Sequence, residues 1–130
     1  MTSDTLKRIL FIEDDDDIRM VAKMALESVG GFEVIACASG DEAIAAASAA
    51  AVDLILLDVM MPGKDGPSTL KALREIPTTA ATPVIFMTAK VQATEVAHYL
   101  SLGAIDVIPK PFDPMAISDE IGRIWARRIG

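Results

Sequence analysis

Along the chain, short runs of β-branched and aliphatic residues alternate with longer stretches in which apolar residues recur every three to four positions. The short runs predict strands over 8–12, 32–36, 53–57, 83–87 and 105–108. Three of them, ILFI, LILL and VIFM, are apolar without a break, as strands covered on both faces must be. The longer stretches predict helices. In the first, Ile18, Ala22, Ala25 and Val29 share a face, and Gly30-Gly31 supplies the stop. The second opens on Ser39 and Glu42, the spacing of a capping box. The third carries Leu70, Leu73 and Ile76 and is ended by Pro77, and the fourth carries Ala93, Val96, Ala97 and Leu100 and is closed by Gly103. The fifth takes Asp113 as N-cap and Pro114 as its first residue, followed by Ile117, Ile121 and Ile124.

Five strand–helix units with short connections imply an α/β fold, a parallel sheet with helices on both faces. Right-handed crossovers leave few arrangements for five strands. The common one is the flavodoxin-like, doubly wound (βα)5 order 2-1-3-4-5. Pro109 suits a fifth strand at the sheet edge, where a missing N–H is tolerated. No linker, repeat or second domain interrupts the pattern, so the expectation is one domain over 1–130 with its core at about 8–125. Ligands of such sheets bind beyond the C-terminal ends of the strands, which is where polar residues carry information.

Composition narrows the function. The chain has 130 residues, is 52% hydrophobic and carries a formal charge of −7, which disfavours nonspecific binding to DNA or to anionic membranes. The basic group Arg123, Arg127 and Arg128 falls in the last helical turns, where cations suit the helix dipole. The lone Cys37 excludes an internal disulfide and fits a reducing compartment. The N-terminus lacks the layout of a signal peptide, and the longest apolar stretch, from Ala43, is broken by Ser48 and ended by Asp53. A cytoplasmic protein without membrane insertion or direct nucleic-acid binding is expected.

The strand ends carry the chemistry. The first runs into Glu13-Asp14 and then Asp15-Asp16-Asp17, the third into Asp58, the fourth into Thr88-Ala89 and the fifth into Lys110-Pro111. With neighbouring strands about 4.8 Å apart, Glu13, Asp14 and Asp58 crowd into one small volume. Carboxylates that close repel unless a cation sits among them. Hard oxygen ligands without thiolate or imidazole point to Mg²⁺, with Mn²⁺ as a substitute. A metal and Lys110 beside a carboxylate would hold a phosphoryl group against an attacking oxygen, and the carboxylate can itself attack.

Other readings of these residues fit less well. Asp15, Asp16 and Asp17 read as acids at a helix N-terminus. A calcium loop counted from Asp14 would need Gly and Glu where Arg19 and Ala25 stand. Haloacid-dehalogenase-type phosphatases carry a second acid where this chain has Met60, and flavodoxins place a Ser/Thr/Gly-rich loop where this chain has acids. His98 reads as an ordinary helix residue. Tyr99 and Trp125 read as packing or surface aromatics, and Met20, Met24, Met60, Met61, Met87 and Met115 as core filler or loop residues.

Taken together, ILFIEDDDDIR, LILLDVMMPGKDG, VIFMTAK and DVIPKPF resemble, in order and spacing, the signature blocks of response-regulator receiver domains, from about Arg8 to Trp125. The resemblance implies a Mg²⁺-dependent switch in two-component signalling, phosphorylated by a histidine kinase or a histidine phosphotransfer protein and read by a downstream effector. It implies Asp58 as phosphoacceptor and Glu13, Asp14, Asp58 and the backbone carbonyl of Met60 as the metal shell. It further implies Thr88 and Lys110 as the groups that hold the phosphoryl oxygens and Ala89 as a supporting residue. Pro111 matches a proline often preceded by a cis bond, and Gly66 fits the turn of the PGKDG loop. Such a module catalyses only its own phosphorylation and dephosphorylation and is not otherwise an enzyme. One position departs: Val107 stands where the family usually has an aromatic ring that moves together with the threonine. The rival reading is a pseudo-receiver that binds partners without phosphorylation. No output domain is expected.

Overall fold

A computed structural model describes residues 5–128; the extreme ends of the expected 1–130 domain, including most of the leading Met1–Thr5 segment, lie outside the described residues. Five strands, β1 (Arg8–Ile12), β2 (Glu33–Cys37), β3 (Leu54–Asp58), β4 (Val84–Thr88) and β5 (Asp106–Pro109), alternate with five helices. These are α1 (Asp16–Ser28), α2 (Gly40–Ala49), α3 (Gly66–Arg74), α4 (Ala93–Ser101) and α5 (Ile117–Arg127). The strands form one sheet in the order β2-β1-β3-β4-β5, and every pairing is parallel. This is the flavodoxin-like arrangement, with β5 at an edge as Pro109 requires. No helix among the described residues is long and apolar enough to cross a membrane.

Side chains alternate between two cores, as a period of two dictates. Ile9, Phe11, Leu54, Leu56, Ile85, Met87 and Ile108 face α1 and α5, where Ala22, Ala25, Leu26, Ile117, Ile121 and Ile124 meet them. Leu10, Ile12, Ile55, Leu57, Val84, Phe86 and Val107 face the opposite layer, with Ala43 and Ala47 of α2, Leu70 and Leu73 of α3, and Tyr99 of α4. Burial on both faces is why the β3 and β4 runs carry no alternation: each of their five residues is buried.

Four strands are shifted one residue later than the hydrophobic runs suggest. A polar residue looks like a boundary, but the backbones of Asp58 and Thr88 still pair, with Met87 and Pro109 respectively. Asp53 stands outside β3, and its carboxylate accepts the amides of Lys7 at 3.0 Å and Arg8 at 2.9 Å, closing the start of the β1–β3 pair. Asp113 caps the turn before α5 and not the helix: its carboxylate accepts from the Met115 amide at 2.9 Å, and Ala116 is the residue that precedes the helix. The expected face of α4 is also corrected. Ala93, Ala97 and Leu100 are exposed; of the expected face only Val96 packs half-buried against the core, and Tyr99 is the residue of that helix that is buried. Val29 likewise lies exposed at the end of α1.

Two glycines shape the loop after β3. The left-handed position falls on Gly63, with φ of +76°, and not on Gly66. Gly66 is needed for close approach: a Cβ there would lie 2.6 Å from the Asp58 carbonyl oxygen and 2.8 Å from the Val59 Cα. Its amide donates to the Val59 carbonyl at 3.0 Å, which folds α3 back against the end of β3. Gly66→Ala is therefore expected to destabilise by about 1–3 kcal/mol, the range for overpacking. A lower urea midpoint checks it, and an unchanged midpoint would mean that the loop yields without cost.

Candidate functional site

Register places the acids. Ile12 of β1 is level with Leu57 of β3, so the next residues, Glu13 and Asp58, stand side by side and continue the α1/α5 face of their strands. Ligand atoms of Glu13, Asp14 and Asp58 lie within 4.8 Å of one another. Glu13 and Asp58 are buried, at 1% and 2% exposure, while Asp14 is half-buried. Lys110, just beyond β5, reaches both buried acids. Its Nζ donates to Glu13 Oε1 at 2.6 Å and lies 3.3 Å from Asp58 Oδ1. Backbone amides complete the shell: that of Asp15 donates to Glu13 Oε2 at 3.2 Å, and that of Met60 to Asp58 Oδ1 at 3.3 Å.

The acidic loop is braced from α1. Asp15 is the N-cap, accepting from the Asp17 and Ile18 amides at 2.9 and 3.0 Å, which is the capping role expected of this run. Arg19, one turn along, donates through Nη1 to the Glu13 carbonyl at 2.9 Å and the Asp14 carbonyl at 3.4 Å, while Nη2 pairs with Asp16. A planar guanidinium thus ties down the backbone of two acids and a third side chain. Sequence reasoning missed Arg19; a cation two residues after the acidic run, one helical turn from its N-cap, was the available signal.

Burial sets the electrostatics. It raises the Glu13 carboxyl to about 7; the Lys110 hydrogen bond opposes this, and the neighbouring Asp58 adds to the rise. Burial likewise raises Asp58, against its hydrogen bond with Glu13 and the charge of Lys110. Burial works to lower Lys110, but the hydrogen bond and charge of Glu13 and the charge of Asp58 prevail and hold it above its ordinary value. The pocket is thus an acid pair short of positive charge, with one ammonium shared between two carboxyls. Its oxygen donors fit a hard divalent cation, and no sulfur or imidazole competes among them. Cys37 is buried, and its thiol is pushed up to about 11 by that burial, which leaves it unreactive.

The other expected residues fall around this centre. Thr88 is buried at the end of β4, and its Oγ1 accepts the Lys90 amide at 3.1 Å. By strand alternation it belongs to the face of Phe86, opposite to that of the acids. The Met60 side chain is exposed, so only its backbone serves the pocket. The Lys110–Pro111 bond is cis, as the resemblance implied. Ala89 is exposed and lines an apolar groove with Ile18, Val21, Lys110, Pro111 and Phe112. Val107 is buried on the α4 side, away from the acids.

The chain matches the family model for the response regulator receiver domain over residues 9–122. It is 40% identical over 122 residues to the transcriptional regulatory protein CpxR of Escherichia coli K12, covering 94% of this chain and 50% of that protein. The match to the transcriptional regulatory protein CseB of Streptomyces avermitilis has the same identity and coverage. The chain thus spans about half the length of these curated relatives. Among solved structures, the chemotaxis response regulator CheY4 of Vibrio cholerae superposes with a TM-score of 0.84 at 30% identity, covering 92% of this chain and 99% of that one. The receiver domain of the hybrid histidine kinase CckA gives 0.72 at 34% identity, covering 91% and 98%.

The raised Glu13 carboxyl has a pH signature. Between about 4.5 and about 7 the folded protein retains a proton that the unfolded chain has released. This group therefore makes stability fall as pH rises through that window. Urea unfolding of chelator-treated protein should show this fall, and Glu13→Gln should flatten it. Lys110→Met should steepen it, with an added loss of about 3 kcal/mol at the alkaline end, since removing one partner leaves a buried charge uncompensated. A slope unchanged by Glu13→Gln would place the linkage elsewhere.

Proposed function

Since the chain belongs to the response regulator receiver domains of two-component systems, we propose that it accepts a phosphoryl group from a phosphohistidine onto Asp58 and changes its partner-binding surface in response. The observation that carries this reading is the buried Glu13–Lys110–Asp58 arrangement, an acid pair with an ammonium positioned between the two carboxyls. Receiver domains act with histidine kinases and effectors and use Mg²⁺ at an acidic pocket. Here Glu13, Asp14, Asp58 and the Met60 carbonyl would hold Mg²⁺, or Mn²⁺ in its place, which supplies positive charge where the phosphoryl oxygens develop negative charge.

The chain's own residues do the rest. Asp58 is held at the strand end by ladder pairing and by the Met60 amide, so one carboxylate oxygen is presented for in-line attack on phosphorus. The P–N bond of the phosphohistidine breaks as the P–O bond to Asp58 forms, and the imidazole leaves with the electron pair and takes a proton. Lys110 transfers its hydrogen bonds from the carboxyls to the phosphoryl oxygens, and Thr88 turns its hydroxyl toward them. Attack by water on phosphorus, with cleavage of the P–O bond to Asp58, resets the module.

The phosphodonor partner docks, in this reading, where the groove of Ile18, Val21, Pro111 and Phe112 adjoins the pocket. Met20 and Met24 of α1 and Met115 before α5 add exposed, adaptable apolar surface beside it. The working module is the receiver core of about residues 8–125, acting in the cytoplasm. Which downstream effector reads it depends on chemistry outside this chain.

Intact-protein mass spectrometry after incubation with acetyl phosphate and Mg²⁺ tests the acceptor. One phosphoryl group should be gained, none without the metal and none in Asp58→Asn. Lys110→Ala should slow the gain about 100-fold or more, the effect of removing one preorganised donor. A folded protein that gains nothing from acetyl phosphate or from a phosphohistidine donor would overturn the reading in favour of a phosphorylation-independent binding module.

Mg²⁺ should also raise the melting temperature, by an increment that grows with pH because the metal displaces the proton that Glu13 holds below about 7. Thermal melts with and without Mg²⁺ on either side of that value check this. Equal increments on both sides would mean that Glu13 takes no part in holding the metal.

A further inference from the structure

The five helices are held to the sheet unequally. α1, α2, α3 and α5 each bury three or four residues, whereas α4 buries one, Tyr99. Val96 packs half-buried against the same core, but the other apolar residues around α4 face outward: Ala93, Ala97 and Leu100 are exposed, as are Val91 before the helix and Leu102 after it. A helix with one deep anchor and an exposed outer surface is the element most readily displaced. Where its anchor sits therefore matters.

Tyr99 is 7% exposed, and its ring lies 5.5 Å from that of Phe86 in a tilted arrangement. Phe86 is level with Val107 across the β4–β5 pair, and both share a core cluster with Tyr99. Phe86 also stands two residues before Thr88, on the same face of β4. A row therefore runs along one face of the sheet from the Thr88 side chain through Phe86 to Tyr99, the one buried residue of α4. The small Val107 leaves the room beside Phe86 that an aromatic from the helix fills.

Thr88 has two ways of disturbing that row. Its hydroxyl now accepts the Lys90 amide in the loop that leads into α4. Turning about χ1 to face the phosphoryl group gives up that bond and moves the methyl together with the hydroxyl, so the group presented toward Phe86 changes.

We propose that Tyr99 is the coupling residue of this receiver, an aromatic supplied by α4 that transmits the state of Thr88 to the exposed surface of that helix. This rests on Asp58 being the phosphoacceptor. Phosphorylation repacks Tyr99 against Phe86, and α4 moves with its anchor. The outer face of Ala93, Ala97 and Leu100 then differs between the two states.

The test uses a feature of the sequence: Tyr99 is its single tyrosine. Protein labelled with 3-fluorotyrosine gives one ¹⁹F resonance, followed through phosphorylation by acetyl phosphate and Mg²⁺ while intact mass counts the phosphoryl group. The resonance should shift or split on phosphorylation and stay put in Asp58→Asn under the same conditions. Tyr99→Leu should still gain the phosphoryl group, but hydrogen exchange of the 91–102 segment, which should change on phosphorylation of the parent protein, should no longer respond. A mass gain with an unmoved resonance, or an undiminished exchange response in Tyr99→Leu, overturns the coupling alone. Absence of any mass gain overturns the acceptor reading, and the coupling with it.

Discussion

Two buried carboxyls, level with each other at the ends of β1 and β3, are the constraint around which this molecule is arranged. Register leaves Glu13 and Asp58 no choice of position, and burial leaves them little water. Each would be expensive to ionise alone, and the pair more so. The compensation arrives from a residue 97 positions along the chain from Glu13: Lys110, beyond the edge strand β5. That contact forms only when β1, β3, β4 and β5 are in order, so the pocket reports the assembly of four of the five strands. It also leaves one ammonium shared between two carboxyls, which is the arrangement the proposed phosphoryl transfer starts from. Arg19 serves a different need. It holds the backbone of the acidic loop by its carbonyls and Asp16, which fixes where Glu13 and Asp14 leave the strand without cancelling the charge at their tips.

The fold was legible because burial on both faces writes itself into the sequence as unbroken apolar runs. LILL and VIFM had to be central strands, and the five strand–helix units then left one common topology. Boundaries were less legible for a reason tied to function. A polar residue at a strand end reads as a stop, yet Asp58 and Thr88 are polar because of what lies beyond the sheet, while their backbones still belong to it. The same conflict misplaced the start of α5. Asp113 has the chemistry of an N-cap and does cap, but it caps a turn one step earlier. Helical periodicity misread α4 because alanines on its outer face continued a pattern that elsewhere marks the core. Small apolar residues cost little when exposed, so they carry weak information about which way a helix faces.

The cluster of acids and its lysine was legible residue by residue, and less so as a geometry. Spacing from the strand ends located Glu13, Asp14, Asp58 and Lys110, because chemistry at the C-terminal edge of a parallel sheet has few places to stand. It could not assign the two glycines of the loop after β3. Gly63 takes the left-handed turn, and Gly66 makes room for the Asp58 backbone; only a Cβ placed in three dimensions separates those needs. Nor could it find Arg19 or give Tyr99 a neighbour, since both act through contacts that no local pattern records.

The alternation of strand side chains divides the labour of the pocket. Glu13, Asp58 and Lys110 continue the face that packs on α1 and α5, where the acidic loop and the apolar groove also lie. Thr88, like Val107, continues the other face, in line with Phe86 and with the layer of α2, α3 and α4. In the proposed mechanism, chemistry and its consequence therefore fall on opposite sides of one sheet, with the threonine as the link between them. In that mechanism a phosphoryl group on Asp58 would alter the α1/α5 side directly through charge, but would reach α4 only by moving something across the strand ends. A β-branched residue at that crossing suits the task, because a single rotation moves its hydroxyl and its methyl together. The weakest-anchored helix lies on the receiving side, which is where a small displacement yields the largest change of surface.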